Sequence, residues 1–222
     1  NFIKYDDTKK NSFISEIRSI KKNNTLYALN HVLYGALNFF NTEIIIKNVF
    51  FKKICSEDVL NIISSKFVIE NVYFEENCSD GIDIDFGEGS INNVNFKHVG
   101  NDAIDLSGSI AQIKNVVLED VGDKLVSIGE NSKVNIQNLN IFKSFLGIVS
   151  KDGSIVFAKN IKNKDVKIPF ASYIKKKEFN SPILKLNNII NDNYQTLYYK
   201  DKYSKIIIDN IIQYKITKNI YN

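Results

Sequence analysis

Acidic side chains recur in this chain at a fixed interval, and that interval decides what chemistry they could do. Asp58, Asp80 and Asp102 stand 22 residues apart, and Lys124 occupies the next step. Asn61, Asp83 and Asp105 form a second series followed by Ser127; Glu57, Ser79, Asn101 and Asp123 form a third. If one interval is one layer of structure, equivalent side chains stack about 5 Å apart. Two carboxylates at that distance repel by roughly 0.8 kcal/mol in water and roughly 3 kcal/mol at an effective dielectric of about 20. Such a patch needs solvent, the Lys124 ammonium, a bound cation or a shared proton. A shared proton raises a carboxyl's pKa, which is how paired acids become general acids. Asp80, Asp83, Asp102 and Asp105 are therefore candidate catalytic groups, with Lys124 to neutralise charge on a substrate. The same four carboxylates are candidate Ca²⁺ ligands, although no cofactor is required by the sequence. Asp58, Asn101 and Asp123 are candidate binding residues beside them. The alternative is structural: Asp favours turns, and solvated acids discourage aggregation.

The elements that would position these groups come from a repeat. The pattern apolar-x-Asn-apolar-x-apolar reads IKNVFF at 46–51, IENVYF at 69–74, INNVNF at 91–96, IKNVVL at 113–118 and IQNLNI at 136–141. Weaker copies stand at 158–163, 186–191 and 208–213. The shared Asn falls at Asn48, Asn71, Asn93, Asn115, Asn138 and Asn160, then at Asn188 and Asn210. Leu60, Ile82, Ile104, Val126 and Ile148 keep the same 22-residue step. Two markers holding one period define layers. After each Asn the apolar residues alternate as on one face of a strand, and the Asn marks a bend. Asp83 and Asp105 alternate with Ile82, Ile84 and Leu106, so they are expected to point outwards. Short strands at this spacing without helical periodicity describe an all-β chain, a single right-handed parallel β-helix of about eight coils. Stacking would put Phe51, Phe74 and Phe96 in one aromatic column and turn the Asn residues into a ladder of amides.

The whole chain, 1–222, reads as one such domain. Residues 1–40 are an irregular N-terminal cap or first coil, with FISEIRSI at 13–20 as a short capping helix or Leu26 to Phe40 as a coil already. Regular coils follow at 41–163. The Asn spacing widens to 28 between Asn160 and Asn188, which predicts a loop insertion at 164–182 containing Pro169; C-terminal coils fill 183–222. Cys55 and Cys78 are expected to be a free pair. His98 is expected at the surface.

Hydrophobic residues make up 44% of the chain, too many for disorder, and the net charge is +4. The lysines are scattered, the pattern of a solvated surface and not of a nucleic-acid groove. No apolar run is long enough to span a bilayer. The chain opens on Asn1 instead of Met, as a processed or excised segment would.

CSDGIDI at 78–84, GNDAIDLSG at 100–108, KLVSIGE at 124–130 and GIVSK at 147–151 resemble the coil series of polygalacturonases. That resemblance implies a right-handed β-helix that hydrolyses uronic-acid glycans with paired Asp residues. Asp80 and Asp102 would be among them, and Lys151 would be a substrate-binding lysine. Asn101, Lys124 and Val149 stand where that family has Asp, His and Arg. SEDVLNI at 56–62 and VGDKLVSIGENSKV at 121–134 are also similar to repeats of bacterial surface β-helix proteins, which implies an extracytoplasmic setting in the periplasm, at the cell surface or secreted. The sequence thus supports a non-catalytic module binding polysaccharide or an envelope protein, as a monomer or in a side-by-side or trimeric assembly. The alternative is a polysaccharide lyase, epimerase or hydrolase using the acidic face.

Overall fold

The computed structural model describes residues 34–215, together with the backbone of three short strands before them. Those strands, β1 (Ile20–Lys22), β2 (Thr25–Ala28) and β3 (His31–Val32), form a small antiparallel sheet. Residues 13–19 of the expected capping helix lie outside the described residues. From β4 onward the chain winds into a parallel β-solenoid of about eight turns, without a helix among the described residues.

Each coil has three faces. The first is built from β4 (Gly35–Phe40), β6 (Asp58–Ile63), β8 (Asp80–Asp85), β10 (Ile104–Ser107), and the ends of β11 (Ile110–Gly129), β12 (Lys133–Lys151) and β13 (Ile155–Tyr173), then β15 (Tyr198–Lys200). Its register carries Leu60 over Ile82, Ile104, Val126, Ile148 and Phe170. The other two faces come from β5 (Glu43–Lys52), β7 (Lys66–Asn77), β9 (Glu88–Val99), the starts of β11, β12 and β13, and β14 (Ile183–Asp192). These strands turn a corner at the repeated Asn.

That corner explains the residue type. Asn48, Asn71, Asn93, Asn115, Asn138, Asn160 and Asn188 all have φ between 52° and 59°. Asn tolerates this left-handed conformation better than most side chains. Its amide then bridges coils: Nδ2 of Asn71 donates to Oδ1 of Asn48 at 3.0 Å, and Asn93 to Asn71 at 2.6 Å. Asn138 donates to Asn115, and Asn160 to Asn138, both at 2.9 Å. Asn115 turns instead to Asn92, at 2.9 Å. A second left-handed corner follows five residues after each Asn, at Lys53, Glu76, His98, Asp120, Lys143, Asp165 and Asn193.

Inward side chains of successive coils pack into one continuous core. Phe74 stacks on Phe51 and Phe96 with ring centroids 5.1 and 4.6 Å apart. Leu118 and Ile141 continue that column in register.

Three local expectations are corrected. Strand β13 continues to Tyr173 with Pro169 inside it, so the extra residues form a shorter loop at 174–182 and not at 164–182. Asp152 ties that loop down, accepting from the backbone N–H of Lys175 and Lys176 at 2.6 and 2.8 Å. Asn210 does not lead into a further coil. It opens a tight hairpin between β16 (Lys205–Ile208) and β17 (Ile211–Ile212), which pair antiparallel. Cys55 and Cys78 are bonded, not free: stacked coils hold their Cα atoms 4.7 Å apart, within disulfide reach.

Candidate functional site

The acidic series do stack on the first face. Asp58 lies beside Asp80, Asn61 beside Asp83, Asp83 beside Asp105, and Asp105 beside Ser127. The first column, however, is tied to the backbone. Asp80 Oδ1 accepts from the N–H of Asp102 at 2.9 Å and from Nδ2 of Asn101 at 2.6 Å. Asp102 Oδ1 accepts from the N–H of Lys124 at 3.0 Å. Each carboxylate thus holds the chain of the next coil. The Lys124 ammonium reaches both oxygens of Asp102, at 3.1 and 3.2 Å, and also contacts Asp123. Asp102 is only 3% exposed, so this end of the column is an interior ion pair and not a solvated patch.

The second column is less satisfied. Asn61 Nδ2 bridges Asp58 at 2.9 Å and Asp83 at 3.3 Å. Asn61 Oδ1, Asp105 Oδ1 and Ser127 Oγ are buried without a hydrogen-bond partner. Asp83 and Asp105 themselves are half-buried and lie side by side in register. Lys151 is buried at the end of β12, two coils beyond Asp105, and makes no ion pair with these columns. His98 sits at the second corner, 3.0 Å from Asp120.

Burial sets the proton affinities. It pushes Asp83 up to about 9, helped by Asp85, Asp58 and Asp105. It raises Asp58 to about 7 against the Asn61 hydrogen bond. Asp102 rises to about 6, because burial outweighs the opposing pull of Lys124. Burial alone would lower Lys124, but Asp102 and Asp123 outweigh it and keep the ammonium charged. Burial also raises Asp80 and Asp85.

Carboxyls that bind protons more tightly when folded stabilise the fold fully below their unfolded pKa of about 4. That contribution is lost as pH rises through about 6 for Asp102, 7 for Asp58 and 9 for Asp83. The melting temperature is therefore expected to fall between pH 5 and pH 9. Asp83→Asn should differ least from the wild type at pH 5 and become the more stable by pH 9, the gap widening by at least about 2 kcal/mol. Scanning calorimetry at both pH values checks this; parallel curves for the two proteins would mean that Asp83 is ionised throughout.

A divalent cation would need several of these oxygens to converge. Among the described residues, no group of three or more His, Cys, Asp or Glu is arranged to hold a metal ion. Asp102 is engaged by Lys124, and Asp80 by backbone and Asn101, so Asp80, Asp83, Asp102 and Asp105 do not form a ready Ca²⁺ cage.

A different feature lies on the second face, just before the Asn corner. A groove of about 570 Å³ is lined there by Gln112, Lys114, Gln137, Phe157, Lys159 and Lys185, among others. No Asp or Glu lines it. The Phe157 ring is 45% exposed, and the Lys185 ammonium sits 4.9 Å from its centroid. Sequence reasoning passed over these positions. The signal was present in the same repeat: they are the outward residues three and one before each Asn, which read as ordinary solvent-facing polar positions when taken singly.

The pectate lyase family model matches residues 56–144, the coils that carry the acidic columns. No curated protein and no solved structure matches the chain. Over those coils the chain is similar to pectate lyases, and its coil geometry is that of a parallel β-helix repeat protein. No helix among the described residues is long and apolar enough to cross a membrane.

Proposed function

We propose that this chain is a non-catalytic, extracytoplasmic β-helix module that binds polysaccharide through the groove on its second face. The observation that carries this reading is the contrast between the two faces. On the first, Asp80 and Asp102 cap the backbone of neighbouring coils and Lys124 is locked against Asp102 and Asp123. A lyase or epimerase needs a free base and a free cation for the uronate; Lys124 is engaged as neither. On the second face, amides, lysines and an open aromatic ring line a continuous strip. Amide side chains both donate and accept hydrogen bonds to hydroxyls, and an aromatic ring offers an apolar platform with a polar surround. The Cys55–Cys78 bridge fits an oxidising compartment outside the cytoplasm.

The test is a panel of soluble polysaccharides titrated calorimetrically, with product analysis of the same mixtures. Saturable binding without new chain ends supports the module. A second reading, a polysaccharide-active enzyme, is favoured by one feature: Asp83, raised to about 9, is protonated at neutral pH as a general acid must be. Turnover that disappears in Asp83→Asn while the protein stays folded would replace the first reading with the second.

A further inference from the structure

We infer that the groove is matched to a linear acidic glycan bearing one negative charge on every second sugar, an inference that rests on the binding function just proposed. The groove follows the helix axis, since its lining runs from Gln112 to Ile207 through outward positions of successive coils. A strip of that shape takes an extended chain and not a compact ligand.

Charge along the strip is spaced. Lys114 lies beside Gln137, and Gln137 beside Lys159. The two lysines therefore stand two coils apart in one column, about 10 Å at the usual strand spacing, with a neutral amide between them. Two coil spacings are close to the advance of one disaccharide. Asn187 follows Lys159 on the next coil in that column, and the lysine of the same coil, Lys185, holds its ammonium over the Phe157 ring on the coil of Lys159. A carboxylate or sulfate placed against Gln137 would lose water without gaining a counter-charge, whereas a hydroxyl or acetamido group there finds both a donor and an acceptor.

The positive charge is also unanswered by the protein. Nearer the N-terminus the same face is neutralised internally, Lys47 pairing with Glu70 at 2.6 Å and Lys66 with Glu43 at 3.8 Å. Among the described residues, Lys114 and Lys159 have no carboxylate partner. They are point charges suited to an anionic group with freedom of approach. In the neighbouring column Phe157 lies beside Lys185, so a sugar ring can pack on the exposed part of the aromatic while its acid group meets the ammonium.

The experiment compares six-sugar oligosaccharides of equal length at moderate salt. They are a hyaluronan fragment with alternating carboxylates, a polygalacturonate fragment charged at every sugar, and an uncharged cellulose fragment. Each is titrated into the wild type and into Lys114→Gln/Lys159→Gln, whose lysines lie outside the core and outside every ion pair among the described residues. The hyaluronan fragment is expected to bind tightest, several-fold ahead of the polygalacturonate fragment. The double variant should weaken it roughly tenfold, the loss of two exposed charge contacts. Equal or tighter binding of the fully charged fragment, or of the neutral one, overturns the assignment of ligand class and leaves the binding function standing. No binding of any polysaccharide overturns both.

Discussion

Lys124→Met is expected to destabilise the protein by about 3–5 kcal/mol at pH 8, the cost of leaving a buried carboxylate unpaired. The Lys124 side chain is 12% exposed and that of Asp102 only 4%, so solvent screens the pair poorly. The effect carries a pH signature. Asp102 titrates at about 6 even with the ammonium beside it, and loses that opposing influence in the variant. Its folded pKa then rises further, so the penalty is full above that value and shrinks as the group protonates towards pH 5. Thermal melts at pH 5 and pH 8 should show a large loss at the higher pH and a much smaller one at the lower. Adding Asp102→Asn should restore most of the stability, because it removes the orphaned charge while keeping an acceptor for the Lys124 N–H. A loss below about 1 kcal/mol at both pH values, the range of exposed ion pairs, would put this column in solvent. It would then be available for chemistry after all.

Phe74→Ala should cost a similar amount, about 3–5 kcal/mol, for a different reason. Phe74 is 1% exposed and stacked on both sides. Its removal leaves a cavity that two neighbouring coils must span, and a solenoid cannot collapse one layer without disturbing the register of the next. The adjacent Tyr73 gives the control. It points outwards, 50% exposed, so Tyr73→Ala should change stability by about 0.5 kcal/mol or less. Denaturant unfolding of the two variants measures the difference directly. Equal effects would contradict the inward and outward assignment, and with it the alternation on which every column depends.

Much of the coil was legible because its constraints act on residue type. A left-handed corner between two apolar strand positions selects Asn, and core stacking selects Ile, Val and Phe at constant spacing. The second corner was invisible. Lys53, Glu76, His98 and Asp120 share the same backbone conformation without sharing chemistry, since an exposed corner leaves the side chain free to vary. The acidic columns could be counted from sequence, but not the use made of them. Asp80 opens β8 and Asp102 stands just before β10, where a short side chain can turn onto the neighbouring backbone; Asp83 and Asp105 stand inside these strands and cannot. The widened spacing after Asn160 reported extra length, while Pro169 suggested a false location for it. Proline is tolerated in β13 between Ile168 and Phe170, the residues that carry the register. The groove was missed because its binding character is collective. Lys114, Gln137 and Lys159 mean little alone and become a charge pattern only when layered.

Hydrogen–deuterium exchange with and without a bound glycan tests the central claim most directly, because it asks which face the ligand covers. Slowed exchange is expected at 112–114, 135–137, 157–159 and 185–187, with 80–85 and 102–107 unchanged. Protection confined to 80–85 and 102–107 would place the ligand on the acidic columns and contradict the account.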